Sequence, residues 1–374
     1  MDFNVVETRG HRLGRSVWHD RVVFPSTSPE AGRESWPAGP HPGPAAAPTR
    51  GHPPAPRTGP ATTDGDRRER GGPRRARRSG EPARRSEDEI DEPEEEVIPP
   101  VEVRRQLALT IAGFAALLGV GLVLGAQTSG PGNRLPFAFI IFGVQLLFVL
   151  AWTMAMRPPA LLVVAGISAA VAAFADIAAV QSDVAGLAPL GFLAAGGFLA
   201  AVLGQLVRRV DRVRVTDSLG ATLLIVVGVV AFGTLIVLSR IPAGTQAITV
   251  CLTASGVALT VARLTDAVLP WPRLAPQVPR GAAGVVAGAM VGTLTSALLG
   301  SYLVAPFTPT RAAVIGLVAA VTAVLSDLAV GYAEAGRLMA GEPPTMWVAR
   351  HMQGPLGGFA LAAPAAYAMC MLFL

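Results

Sequence analysis

From residue 106 to the C-terminal Leu374, long apolar runs alternate with short polar breaks. A membrane-crossing helix needs about 20 predominantly apolar residues. Nine runs reach that length: 106–127, 136–156, 159–180, 185–207, 218–239, 244–262, 282–303, 310–331 and 354–374. The breaks carry glycine, proline or charge, as at Gly130 to Pro136, Pro158–Pro159, Arg208 to Asp217 and Arg240 to Gly244. These residue types punctuate helices. The pattern predicts an all-α polytopic membrane protein with about nine transmembrane helices over residues 104–374. Runs such as GVVAGAMVG at 284–292 and AAGGF at 194–198 are dense in small residues. Small residues let helices approach closely, so a packed bundle is expected rather than separate anchors.

Residues 1–103 read differently. Most of this stretch is rich in Pro, Gly, Ala, Arg and Glu and poor in branched apolar residues. Such a segment cannot bury enough surface to offset the entropy of ordering it, so a disordered tail is expected. It contains a basic run, Arg67 to Arg85, followed by an acidic run, Glu87 to Glu96. The pair reads as a solvated polyampholyte linker; attraction to anionic headgroups is the sharper alternative. Asp2 to Phe24 scatters Val5, Leu13, Trp18 and Phe24 among charges and is a candidate protein-partner element within residues 1–100. The first 25 residues lack the apolar core of a signal peptide, so insertion is expected to use the first membrane helix.

Charge adds an orientation. Residues 1–100 hold 16 of the 31 basic and 17 of the 26 acidic residues, so the basic excess belongs to the membrane part and is not a nucleic-acid signal. All the basic residues are arginine. With the loops numbered alternately, one side receives twelve arginines: 104, 105, 157, 208, 209, 212, 214, 263, 273, 280, 337 and 350. The other receives three: Arg134, Arg240 and Arg311. Cytoplasmic loops carry the arginine excess. The expectation is a plasma-membrane protein in contact with the bilayer through every span, its N-terminus cytoplasmic and its C-terminus outside. The two longest loops, 263–281 and 332–353, then face the cytosol. Cys251 and Cys370 sit in apolar runs and read as small buried hydrophobes.

Ionisable residues within spans are costly and are candidates for function. Asp176 reads as an end-of-helix residue reaching the interface. Asp327, in AVLSDLAV, lies inside the eighth run, with Glu334 and Arg337 beyond it. Arg263 and Asp266 close the sixth run at the same face. Asp327 reads equally as a structural partner of an arginine or as a carboxylate handling a metal or a phosphate. Arg280, Arg337 and Arg350 are candidates to bind a phosphate or lipid headgroup.

Three segments of the C-terminal third resemble the phosphatidate cytidylyltransferase (CDP-diacylglycerol synthase) family. LAPQVPRGAAGVVAGAMVG (274–292) is similar to the family stretch L-A-P-R-I-S-P-K-K-T-W-E-G with its Gly-rich span. VLSDLAVGYAEAGR (324–337) resembles the helix bearing an S-D or G-D dipeptide, and GGFALAAPAAYAM (357–369) the last span, D-S-L-L-F-A-A-P-V-A-Y. The resemblance implies a many-helix bundle with its motifs at the cytoplasmic face. It also shows where this chain departs. Ala254–Ser255 stand where the family has T-D, and the K-K-T-W-E motif is reduced to Arg280 followed by Gly281, Ala282 and Ala283. The family's later glutamate falls at Val330 or Gly331, and both final aspartates fall among Gly354, Gly357 and Gly358. Of the matching carboxylates only Asp327 remains.

Attack of a lipid phosphate on a nucleotide needs divalent ions to offset charge, and hard cations need clustered oxygen ligands. Mg²⁺ is therefore expected only if a residual site exists, with Asp327 as its best ligand. The leading expectation is a non-catalytic, cytidylyltransferase-like scaffold or regulator at the cell envelope. An enzyme acting on a lipid phosphate at the cytoplasmic face is the alternative. A transporter is a further one, which would need mid-membrane charges or interrupted helices in matched halves.

Overall fold

The computed structural model describes residues 101–128, 133–207 and 214–373. The tail runs and the partner element of Asp2 to Phe24 lie outside these residues. So do Arg208, Arg209 and Arg212 of the charge count.

Among the described residues, nine helices are long and apolar enough to cross a membrane. They are α1 (Arg105–Gln127), α2 (Leu135–Met156), α3 (Leu161–Gln181), α4 (Ala188–Val207), α5 (Val215–Ser239), α6 (Gly244–Val268), α7 (Ala282–Tyr302), α8 (Pro309–Met339) and α9 (Trp347–Phe373). The chain is thus a multi-pass, membrane-embedded helical protein whose outer faces meet lipid. Between α6 and α7 lies an antiparallel hairpin of β1 (Arg273–Ala275) and β2 (Val278–Gly281), where a loop was expected. Pro276 and Gln277 form its turn, and Val278 is fully buried beneath it. The Val101 N–H donates to the Pro276 carbonyl at 3.0 Å, tying the entry to α1 onto the hairpin tip.

Three helices outrun their predicted ends by six residues or more, all on the side where the site lies. α6 continues to Val268, past residue 262; α8 continues to Met339, past 331; α9 starts at Trp347, ahead of 354. α8 has 31 residues, about 46 Å at the helical rise, well beyond a 30 Å hydrocarbon core. The added turns carry Arg263, Asp266, Glu334, Arg337, Arg350 and His351. Hydropathy stops at those polar residues, but the backbone hydrogen bonding does not.

α5 and α6 are the most buried helices. α6 packs against α1, α7, α8 and α9, whereas α5 packs against α2, α3, α4 and α9. Phe148 marks the core of the second group, stacked on Trp152 at 5.2 Å and edge-on to Phe232 at 5.8 Å. Cys251 and Cys370 are both buried and free. α7 shows the small-residue logic most plainly. Its buried positions are Gly284, Gly288, Gly292, Ser296 and Gly300, one every four residues. A Cβ on Gly288 would lie 2.5 Å from the Ala258 carbonyl oxygen, and one on Gly292 would lie 2.6 Å from that of Ala254. Without those methyls α7 meets α6 backbone to backbone, which gains dispersion contacts where lipid offers no hydrophobic drive. Val286, Met290, Leu294 and Leu298 lie on the exposed face of the helix.

Candidate functional site

Arg263 and Asp266 lie one turn apart on α6. Arg280 is the third residue of β2, and Asp327 sits on α8. The hairpin folds Arg280 back between the two acids. Its Nε lies 2.7 Å from Asp266 Oδ2, and its Nη1 donates to Asp327 Oδ2. Arg263 Nη2 donates to Asp327 Oδ1, so each Asp327 oxygen holds a guanidinium. The Gly281 N–H donates to Asp266 Oδ1 at 3.0 Å. Arg280 is 2% exposed, and Asp266 and Asp327 are each 1% exposed. Two positive and two negative groups balance, as buried charge requires. Burial works against the Arg280 charge, but Asp327 and Asp266 outweigh it and hold the guanidinium above its usual range.

Glycines make room for the carboxylates. A Cβ on Gly354 of α9 would lie 1.9 Å from Asp327 Oδ1. One on Gly284 would lie 2.4 Å from Asp266 Oδ1. The bare Cα of Gly354 is what lets α9 close over Asp327.

Beside this cluster is a cavity of about 440 Å³, walled by the starts of α1 and α9, the ends of α6 and α8, and the hairpin. Arg104, Arg263, Arg280, Asp327, Glu334, Arg350 and His351 reach its wall. Arg350 is ion-paired with Glu334, and Trp347 lies edge-on to His351 at 5.2 Å. The structure therefore gathers Asp327, Arg280 and Arg350 around one space. Arg337 is placed elsewhere: its Nη1 donates to the Ala155 carbonyl at the end of α2, at 2.9 Å. His351 and Arg104 carried no chemical reading in the sequence, and neither sits in a motif that would have singled it out.

The donor set does not suit Mg²⁺. A dication needs oxygens free to turn toward it, whereas both Asp327 oxygens already meet cations. Among the described residues no group of three or more His, Cys, Asp or Glu is placed to hold a metal ion.

Asp176 departs from its expected place. It is 6% exposed, buried in the bundle rather than at the interface. Gln145 Nε2 on α2 donates to its Oδ1 at 2.9 Å.

No protein-family model matches this chain, and none of the curated proteins is significantly similar to it.

Proposed function

We propose that this chain is a non-catalytic, cytidylyltransferase-like scaffold or regulator of the plasma membrane, with its tail and arginine-lined cavity facing the cytoplasm. One observation carries the reading: Arg263 and Arg280 occupy both oxygens of Asp327, the one carboxylate that survives at a motif position. A cluster held that way joins α6, α8 and the hairpin, and it leaves no free carboxylate pair for a metal-assisted phosphoryl step. The twelve-to-three division of arginines supports the orientation, and residues 1–100 are the segment offered to a protein partner.

A second reading, an enzyme acting on a lipid phosphate, draws on the cavity itself, where Arg104, Arg350 and His351 line a space of headgroup size. One assay separates the two. Purified protein in phospholipid micelles receives CTP, phosphatidic acid and Mg²⁺. The expected result is no CDP-diacylglycerol above a protein-free control. Product formation that Asp327→Ala abolishes would overturn the proposal in favour of the enzyme.

A further inference from the structure

A second polar site lies in the other half of the bundle, toward the end opposite the arginine-lined cavity. Asp176 is the sixteenth of the 21 residues of α3, and Gln145 lies halfway along α2. Gln145 Nε2 spends its two hydrogens on Asp176 Oδ1 and on the Val229 carbonyl of α5, at 2.9 and 3.0 Å. Asp176 Oδ2 and Gln145 Oε1 are then left as buried acceptors with no donor.

The charged groups around them are all engaged elsewhere or distant. Arg134, just before α2, donates to the Val180 carbonyl at 3.2 Å. Arg240, just after α5, donates to the Ala179 carbonyl and the Ser182 hydroxyl, each at 2.7 Å. Asp183 follows α3 and is exposed. Asp217 of α5 lies at the far end of its helix, paired with Arg214 at 2.8 Å. α4 has no titratable side chain. Among the described residues, no cation of the protein reaches Asp176.

A lone carboxylate in an apolar interior is strongly disfavoured. Among the described residues nothing neutralises it. A cavity of about 220 Å³ between α2 and α3 has Asp176 in its wall. It also touches Leu135, the first residue of α2, and Gln181, the last of α3. The cavity therefore runs from the carboxylate to the helix ends along an otherwise largely apolar wall.

We infer that Asp176, held among α2, α3 and α5 through Gln145, is the charged ligand for one small monovalent cation, a proton or an alkali ion. The site is independent of the proposed function of the opposite end. It is also the intramembrane charge that the helix-end reading of Asp176 left out. Occupancy ties together three helices, so it stabilises the folded state by mass action.

The test uses the full chain in detergent micelles and follows thermal unfolding. One series exchanges choline for Na⁺ at constant ionic strength; a second varies pH without Na⁺. If the ion is Na⁺, the wild-type midpoint rises with Na⁺. If it is a proton, the folded state binds more protons than the unfolded state, so stability falls as pH rises. Asp176→Asn, permanently neutral, removes whichever dependence is seen. Equal responses of wild type and Asp176→Asn in both series overturn the site. A wild-type measurement stands behind the variant, should it fail to fold. Infrared difference spectra follow the buried carboxyl while radiolabelled sodium reports ion binding. Binding of sodium, or a buried carboxyl that takes up a proton, supports the site. Asp266 and Asp327 stay ionised beside their arginines, so the absence of any protonated buried carboxyl together with no sodium bound overturns it.

Discussion

Arg280 Nε lies 2.7 Å from Asp266 Oδ2, while Nη1 of the same guanidinium is bound to Asp327. One side chain, almost wholly buried, thus joins α6 to α8 through the hairpin. Removing it leaves Asp266 without a cation and Asp327 with Arg263 alone. Arg280→Met is expected to cost about 3–5 kcal/mol, the range for breaking one side of a buried ion pair. Arg280→Met combined with Asp327→Asn should cost less than the sum of the single changes, because the first leaves the cluster with one excess negative charge and the second removes one. Chemical unfolding in micelles of all three variants measures the difference. Strict additivity would mean that the two residues do not depend on each other.

The glycines sort into two classes, and a methyl distinguishes them. Gly288 of α7 faces the Ala258 carbonyl, whereas Gly113 of α1 has nothing within 4 Å of where its Cβ would stand. Gly288→Ala is expected to lower stability by about 1–3 kcal/mol, the usual cost of overpacking. Gly113→Ala should be neutral or slightly stabilising, since alanine is the better helix former. Gly354→Ala belongs with Gly288, because its methyl would collide with Asp327 Oδ1. Melting curves of the three variants, compared side by side, give the order.

Much of this was legible along the chain, for a specific reason. A bilayer demands about 20 apolar residues per crossing, so each span announces itself locally, and all nine predicted runs correspond to helices. What local pattern does not encode is where a helix ends once it leaves the hydrocarbon. α6, α8 and α9 each run on through the polar residues that build the site. Nor does it encode which face of a helix is buried. Asp176 lies five residues from the end of α3, and distance along the helix suggests exposure; only its packing against Gln145 shows otherwise. Gln145, a lone amide midway along α2, was the available signal. The pairing of Asp327 with Arg263, 64 residues away, and with Arg280, 47 away, depends on tertiary closure. The candidate phosphate ligand Arg337 reads like Arg350 in sequence, yet the two side chains end on different partners.

The proposed orientation has its own check. Thr308, between α7 and α8, and Glu342, between α8 and α9, are both exposed and lie on opposite sides of the membrane by connectivity. Cysteines placed at these positions, in a background with Cys251 and Cys370 replaced, should react with a membrane-impermeant maleimide from opposite sides. The cysteine at 308 is expected to label in intact cells. The one at 342 should label only after the membrane is opened. The reverse pattern would invert the topology.

The most direct test of the central claim asks whether Asp327 can hold a metal at all. Mn²⁺, a paramagnetic stand-in for Mg²⁺, is titrated into purified wild-type protein and into Asp327→Asn while electron paramagnetic resonance counts the free ion. With both carboxylate oxygens engaged by Arg263 and Arg280, the two proteins should bind the same small amount of Mn²⁺. Stoichiometric binding in the wild type that Asp327→Asn removes would contradict the account and make Asp327 a metal ligand.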